Sequence, residues 1–211
     1  MKLIGFPASP RTWQVRALAA HLGIPLDLTL VDLTKGEQHK PDYLAINPTG
    51  RAPTLVDGDF KLWETAAILQ YLAAQKPNSL WPDNVRARAD IMRWQSWAIA
   101  HWDKEGCVPL LVERVIKQIL NLGPPNEAVV TAALEQFRKN AQVLDDHLSR
   151  QRWLVGDDVT LADFAVAAAL FYADRGRFPL ADYSNVGEWF TRVSALPCWK
   201  ETMPQFTAAA A

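Results

Sequence analysis

The pattern of the first 31 residues constrains the fold more than any other feature of the chain. Residues 2–6 and 26–31 have the apolar patterns of short strands, and residues 10–22 have the spacing of a helix that ends at Gly23. A strand, a crossover helix and a second strand require the two strands to pair in parallel.

The next strands must pair in the opposite sense. Residues 54–56 and 60–62 are short strand-like runs, and Asp57-Gly58-Asp59 between them is typical of a tight hairpin. Residues 66–72 follow with the pattern of a helix that has a largely buried face. We therefore predict an α/β domain over residues 1–76, a four-stranded mixed sheet with helices packed on it.

The second half of the chain has a different residue pattern. Residues 77–84 contain two prolines, two asparagines and a serine, which indicates a linker. No strand pair is evident beyond it, so residues 85–211 are predicted to form an all-helical domain that ends in a loose TAAAA tail. The predicted helices cover residues 86–105, 109–121, 126–149 and 186–196, the last ended by Pro197, with one more after the capping pattern of Thr160 and Asp163.

Composition excludes several classes of function. The net charge of −1 provides no basic field for nucleic acid, and no apolar run reaches 18 residues, so no membrane partner is expected. Two cysteines without metal-ligand spacing, in a chain that opens without a long apolar signal core, favour the cytoplasm and no metal site.

Pro53 opens a strand, where its missing N–H suits only an edge or an end. A cis Ala52-Pro53 bond would turn the chain sharply there. The N–H and C=O of Ala52 would then be available to a partner from outside the chain.

Four motifs together resemble the cytosolic glutathione transferases over nearly the whole chain, in particular bacterial, serine-type, theta-like and phi-like members. The motifs are SP-x5-R after the first strand, NPTGRAP, Glu64-Thr65 at the head of a helix, and LVGDDVTLADFAVA. The resemblance implies a thioredoxin-like N-terminal domain over residues 1–76, an all-helical C-terminal domain, a homodimer, and glutathione as co-substrate.

The resemblance also implies a binding mode for glutathione. The family's proline that matches Pro53 is cis, and Ala52 holds the place of the residue that pairs its backbone with the cysteinyl part. Glu64 and Thr65 match the residues that hold the γ-glutamyl end. The helix N-terminus at Thr65 suits the carboxylate of that end, and Glu64 can pair with its ammonium group. Arg51 takes the place of a polar residue that touches glutathione in some classes, or is an ordinary surface arginine.

The nucleophile in such enzymes is the glutathione thiolate. A free thiol has a pKa of about 8.5, and lowering it by roughly two units requires about 2.7 kcal/mol of preferential thiolate stabilisation. Ser9, before Pro10 at the start of the first helix, matches the family's active-site serine. The alternatives are that Ser9 only caps the helix and that Thr12 is the catalytic hydroxyl.

Three further groups have two interpretations each. His39 and Lys40, with Gln38 beside them, match the segment that binds the glycine carboxylate, or they form a solvated loop. The candidates for an electrophile pocket are Trp13, Trp94, Trp97 and His101, with Trp102 as a further candidate. The alternative for the tryptophans is core packing. His101 is a weaker candidate for a general base, and Cys107 is expected to be a small buried hydrophobe.

Three functions remain open at this point. The leading hypothesis is conjugation of glutathione to small apolar electrophiles. The second is another glutathione-dependent reaction, such as hydroperoxide reduction or reductive dehalogenation, and the third is a non-catalytic glutathione-binding module.

Overall fold

The computed structural model describes residues 1–204, so the predicted TAAAA tail lies outside the described residues. The sheet has four strands: β1 (Lys2–Gly5), β2 (Asp27–Leu30), β3 (Thr54–Asp57) and β4 (Phe60–Trp63). Their order is β2-β1-β3-β4. The β1–β2 pair is parallel, and β3 is antiparallel to both β1 and β4. The predicted mixed sheet is confirmed.

Three helices accompany the sheet: α1 (Pro10–Leu22), the single turn α2 (Pro41–Leu44) and α3 (Thr65–Ala73). Pro10 starts α1 with its ring-fixed φ, and Gly23 ends it at φ 62°, a left-handed conformation that favours glycine. The fully buried side chains of Leu3, Leu18 and Leu69 come from β1, α1 and α3 respectively. The core of this part of the chain therefore lies where these elements pack together.

The remaining elements are helical: α4 (Val85–Trp97), α5 (Val108–Leu111), α6 (Lys117–Ile119), α7 (Glu127–Leu148), α8 (Leu161–Ala167), α9 (Ala173–Gly176), α10 (Ser184–Ser194) and α11 (Pro197–Glu201). Wide π-helical turns at Ala98–Cys107 and Val112–Ile116 join α4, α5 and α6. The predicted break between residues 105 and 109 is wrong, because the backbone stays right-handed helical at Cys107 and Val108. Widened turns replace the i→i−4 bonding that Pro109 would interrupt.

Backbone contacts divide the chain into two compact units. One contains Met1–Pro77 and the segment that begins at Ala195, and the other is Asn78–Ser194. The sequence placed the final segment in the helical half, whereas the structure groups it with the sheet. The reason is local packing, since the Trp199 ring of α11 lies 4.4 Å from the Trp13 ring of α1 in an edge-on contact. No helix within residues 1–204 is long and apolar enough to cross a membrane.

Asp163 is the polar centre of the helical unit. Its carboxylate accepts hydrogen bonds from the Leu154 N–H (3.0 Å), the Thr160 N–H (2.8 Å) and hydroxyl (3.1 Å), and the Trp189 Nε1–H (2.8 Å). The side chain is fully buried, and this burial raises its pKa, which the donated hydrogen bonds oppose. The predicted pairing of Thr160 with Asp163 is confirmed, and Asp163 also fixes the start of α8 to α10.

Replacing Asp163 by alanine should lower the free energy of unfolding by about 3 kcal/mol or more, because buried donors on Leu154, Thr160 and Trp189 lose their acceptor together. Chemical denaturation measures this. Asp146→Ala is the matched control, since that exposed carboxylate bonds, among residues 1–204, only to the side chain of Gln142. A loss no larger than that of the control would contradict a central role for Asp163.

Candidate active site

The register of the sheet brings the predicted site residues to one edge. Ile4 of β1 lies opposite Thr54 of β3, and Thr54 lies opposite Trp63 of β4. The chain therefore leaves β1, enters β3 and leaves β4 at the same end of the sheet. The segments at that end carry Ser9, then Ala52 and Pro53, then Glu64 and Thr65. We call this end the site edge.

Ser9 lies directly before α1 in an extended conformation (φ −72°, ψ 128°) and is half-buried. Its N–H donates to the Phe6 carbonyl (2.9 Å), and its carbonyl accepts from the Trp13 N–H (2.9 Å). The side chain makes no capping hydrogen bond, and the first turn of α1 contains no acidic residue. Helix capping therefore does not account for a serine here, and its hydroxyl lies at an N-terminus that has no negative side chain of its own.

Thr12 lies one turn further along α1 and is fully buried. Its hydroxyl oxygen has no hydrogen-bond partner among residues 1–204. The side chain packs so closely on β1 that a Cβ atom on Gly5 would lie 2.6 Å from that oxygen, which explains the glycine at this position. Of the two candidate hydroxyls, Ser9 is thus the more accessible.

Asn47 and Tyr43 hold the NPTGRAP loop in place. The amide group of Asn47 is buried and donates to the Arg51 carbonyl (2.7 Å) and to the Thr54 hydroxyl (2.9 Å). The Tyr43 hydroxyl donates to the same Arg51 carbonyl (2.5 Å). Two donors on one carbonyl fix the backbone immediately before Ala52. The sequence analysis did not identify either residue. The Asn-Pro pair that begins with Asn47 is a common turn signal and was the available indication.

The Ala52-Pro53 peptide bond is cis, as predicted. Pro53 is buried and the Arg51 side chain is exposed. Within residues 1–204, neither the N–H nor the C=O of Ala52 has a hydrogen-bond partner. The N–H of Ala52 can therefore donate a hydrogen bond to a ligand at the site edge, and its C=O can accept one.

Glu64 adopts an unusual backbone conformation between β4 and α3. Its φ is +70° and its ψ is 117°, and its exposed side chain makes no capping hydrogen bond. A positive φ in a residue other than glycine costs about 1–3 kcal/mol, and such residues concentrate at ligand-binding sites. Thr65 follows as the first residue of α3, half-buried. The sequence predicted both residues for the site but gave no sign of the strain.

The segment of Gln38, His39 and Lys40 runs beside the NPTGRAP loop. The Nδ1 atom of His39 would lie 2.9 Å from a Cβ atom on Gly50, whose φ of +62° also favours glycine. The ammonium group of Lys40 pairs with Glu37 at 3.0 Å on the surface. The backbone carbonyl of Gln38 would lie 3.5 Å from the same Cβ atom on Gly50, so the His39 side chain and the Gln38 backbone both lie next to the loop that leads to the site edge.

The remaining candidates are aromatic residues in different packing environments. In the sheet unit, Trp13 is buried against Trp199. In the helical unit, Trp94 is buried and contacts the rings of Trp97 (5.2 Å) and His147 (4.8 Å). Core packing accounts for these two tryptophans, and their place in an electrophile pocket stays a prediction.

Trp102 and His101 differ sharply although they are adjacent. Trp102 is fully buried and donates its Nε1–H to the Val166 carbonyl (3.2 Å). His101 is exposed and lies 3.5 Å from the carboxylate of Glu105. Cys107 is buried, as expected for a small hydrophobe. Trp97, which is half-buried, is therefore the most available tryptophan of the predicted group.

A thioredoxin-like sheet unit with a cis-proline loop at the site edge, followed by a helical unit, defines a class of glutathione-dependent proteins. Family models support this class directly. The model of the glutathione S-transferase N-terminal domain matches residues 1–74, and the model of its C-terminal domain matches residues 106–197.

Individual relatives agree with the models over nearly the full length. Glutathione S-transferase 3 of Zea mays is 35% identical over 208 residues, which cover 96% of this chain and 93% of the relative. Glutathione S-transferase F10 of Arabidopsis thaliana is 31% identical and covers 88% of each chain. The chain belongs to the glutathione S-transferase family, whose co-substrate is glutathione.

Solved structures of glutathione S-transferases resemble this chain over nearly its full length. Glutathione S-transferase III in its apo form has a TM-score of 0.86 at 32% identity, covering 100% of this chain and 98% of its own. A possible glutathione S-transferase from Rhodopseudomonas palustris has a TM-score of 0.85 at 26% identity, covering 100% and 96% respectively. The predicted fold class is confirmed by these neighbours.

Replacing Glu64 by glycine should raise the free energy of unfolding by about 1 kcal/mol, because relief of the positive φ exceeds the entropy that glycine adds to the unfolded chain. Chemical denaturation is again the measurement. Glu64→Ala is the matched control, since alanine removes the carboxylate but keeps the strain. Equal stability of the glycine and alanine variants would show that the backbone of Glu64 is not strained.

Proposed function

We propose that this family member conjugates glutathione, through its thiolate, to small apolar electrophiles. The observation that carries the proposal is the convergence of Ser9, Ala52 and the Glu64-Thr65 pair on the site edge, with the Ser9 hydroxyl unused as a cap. We further propose that residues 1–76 form the glutathione-binding domain and that residues 85–194 form the second, helical domain, since the segment that begins at Ala195 groups with the sheet unit.

Each part of glutathione has a proposed partner. The backbone of Ala52 pairs with the cysteinyl unit. The γ-glutamyl carboxylate binds the N–H and hydroxyl groups of Thr65 at the N-terminus of α3, and Glu64 accepts from the ammonium group. The glycine carboxylate lies towards His39, and Lys40 and Arg51 are the candidate cationic partners for it.

Ser9 then controls the reactivity of the bound thiol. Its hydroxyl donates a hydrogen bond to the sulfur, and the positive end of α1 favours negative charge at the same point. The thiol proton passes to solvent, and the thiolate attacks the electrophilic carbon and displaces the leaving group or adds to the double bond. The stabilisation needed is about 2.7 kcal/mol for a pKa that is lower by two units.

The same residues weigh differently on the two alternatives. Hydroperoxide reduction and reductive dehalogenation would start from the same glutathione thiolate, and Ser9 argues only against a route through a protein mixed disulfide, which needs a cysteine nucleophile. A non-catalytic binding module does not need an uncommitted hydroxyl beside the helix terminus. Retention on a glutathione-affinity column followed by turnover of a panel of electrophiles and of cumene hydroperoxide separates the three functions.

Replacing Ser9 by alanine should lower the conjugation rate at neutral pH and raise the apparent pKa of bound glutathione, with little change in glutathione affinity. Raising the pH should partly restore the rate, because bulk deprotonation then supplies the thiolate. The pH–rate profile with 1-chloro-2,4-dinitrobenzene measures both effects.

Thr12→Ala is the matched control for Ser9→Ala. If Thr12→Ala shifts the profile and Ser9→Ala does not, the catalytic hydroxyl is that of Thr12. If neither variant shifts it, the backbone N–H groups at the start of α1 must stabilise the thiolate.

We also propose a cytoplasmic homodimer. Large apolar side chains remain exposed between residues 60 and 99, namely Phe60, Trp63, Val85, Met92 and Ile99. Burial of such side chains is a common basis for stable self-association. The two cysteines form no disulfide, which accords with a reducing compartment.

Sedimentation at micromolar concentration should give a dimer of the 23.6 kDa chain. Met92→Glu should weaken this dimer, because a charge would enter the proposed apolar interface. Val143→Glu is the control, since Val143 is equally exposed (52% against 48%) but lies on α7, outside the proposed region. A wild-type monomer, or equal effects of both variants, would contradict the proposed interface.

A further inference from the structure

The peptide unit that joins Arg51 to Ala52 has its two polar groups in opposite environments. The Arg51 carbonyl accepts from the Tyr43 hydroxyl (2.5 Å) and from Asn47 Nδ2 (2.7 Å). The N–H of Ala52, in the same peptide unit, has no hydrogen-bond partner among residues 1–204. This peptide unit is trans, since the cis bond is the next one, between Ala52 and Pro53. Its C=O and N–H therefore point in opposite directions within one plane.

Asn47 can face this carbonyl in one orientation of its amide group. The Oδ1 atom accepts from the Thr49 N–H (3.1 Å) and from the Thr49 hydroxyl (2.7 Å). A backbone N–H can only donate, so the atom that faces Thr49 must be the oxygen. The Nδ2 group is thereby directed at the Arg51 carbonyl and at the Thr54 hydroxyl (2.9 Å).

The hydroxyl of Tyr43 has one proton and two neighbours. The Arg51 carbonyl can only accept, whereas the Thr54 hydroxyl, 3.0 Å from the Tyr43 oxygen, can donate or accept. The Tyr43 proton is therefore assigned to the carbonyl, and the Thr54 hydroxyl donates to the Tyr43 oxygen. Because Thr54 accepts from Asn47 in turn, the three side chains and the carbonyl form a closed cycle of hydrogen bonds.

Burial protects this cycle from competition by water. Tyr43, Asn47 and Thr54 are 6%, 1% and 0% exposed. Burial also raises the pKa of the Tyr43 phenol, although the hydrogen bonds from its neighbours oppose the shift. The phenol therefore remains a protonated donor at neutral and mildly alkaline pH.

A donor on the Arg51 carbonyl has two effects on the N–H of Ala52. It fixes the plane of the peptide unit, so the N–H is held pointing away from the buried cycle. It also draws electron density towards the carbonyl oxygen, and this polarisation makes the N–H of the same unit a stronger donor. Both effects favour a ligand that brings a carbonyl oxygen to Ala52.

We propose that Tyr43 is a positioning residue for glutathione, which it orients through the Arg51-Ala52 peptide unit. The N–H of Ala52 donates to the cysteinyl carbonyl of glutathione, and the Tyr43 hydroxyl on the far side of the peptide unit holds and polarises that donor. Tyr43 does not touch the ligand. The inference rests on the proposed function, because the cysteinyl unit is the proposed partner of Ala52.

The test is calorimetric titration of the full-length wild-type chain and of Tyr43→Phe with two ligands. One ligand is glutathione, and the other is an analogue in which an (E)-alkene replaces the cysteinyl-glycine amide, so that the shape is kept and the carbonyl is absent. Tyr43→Phe should weaken glutathione binding about threefold to tenfold, the effect of one hydrogen bond. Binding of the alkene analogue should be the same in both proteins, because the analogue does not use the polarised N–H.

Tyr183→Phe is the matched control. Tyr183 is 7% exposed, close to the 6% of Tyr43, and its hydroxyl also donates to a backbone carbonyl, that of Arg138 (3.2 Å), but in the helical unit. Both variants lose one buried hydrogen bond, so both should lower the thermal midpoint. Tyr183→Phe should leave glutathione affinity unchanged.

A second variant keeps the test decisive if Tyr43→Phe folds poorly. Tyr43→Phe combined with Thr54→Val removes both hydroxyls of the pair together, so neither hydroxyl is left without its partner, while Asn47 still donates to the Arg51 carbonyl. This double variant should show the same weakened binding of glutathione and the same unchanged binding of the analogue.

Three results overturn the role of Tyr43 while leaving the proposed function intact. They are unchanged glutathione affinity in Tyr43→Phe, equal weakening of glutathione and the alkene analogue, and equal weakening of glutathione binding by Tyr183→Phe. A wild-type chain that does not bind glutathione overturns the proposed function, and this inference with it.

Discussion

The pairing of β3 between β1 and β4 is the constraint on which the rest of the active-site account depends. Thr54 lies opposite Ile4 on one side and opposite Trp63 on the other. A slip of one residue in either pair would turn the side chains of that strand to the opposite face and shift a neighbouring loop along the sheet. The present register sets the start of α1, the cis-proline loop and the start of α3 side by side.

Buried polar groups in each unit bond within that unit. Asn47 and Tyr43 hold the Arg51 carbonyl beside the site edge, and Asp163 separately gathers four donors in the helical unit. Buried donors without partners would be costly, so these sites resist rearrangement. The groups proposed to meet glutathione differ, because the Ser9 side chain caps nothing and the Ala52 backbone has no partner among the described residues. Hydrogen-bonded surroundings thus leave the Ser9 hydroxyl and the Ala52 backbone groups available at the site edge.

Local sequence patterns predicted those features that depend on local physics. The Asp-Gly hairpin, the Pro10-to-Gly23 helix and the pairing of Thr160 with Asp163 each follow from turn, proline and capping chemistry. The family resemblance added the proposed roles of Ser9, Ala52 and Glu64, which cannot be read from hydrophobic periodicity.

Features that depend on tertiary contact could not be predicted in this way. Asn47 and Tyr43 meet the Arg51 carbonyl only after the loop has folded, and the positive φ of Glu64 follows from the junction of β4 with α3. Pro109 favoured a helix break, but widened turns on both sides keep the run helical. The segment around Trp199 groups with the sheet unit through packing on Trp13, which a linear division into domains does not reveal.

The most direct test of the account is a titration of the isotopically labelled chain with glutathione, followed residue by residue in amide NMR spectra. Saturable shifts are expected at Ala52, Glu64 and Thr65, and smaller or no shifts at the hairpin of Asp57 and Gly58, which lies at the opposite end of the same strands. Shifts centred on that hairpin, with none at Ala52 or Thr65, would show that the site edge does not bind glutathione.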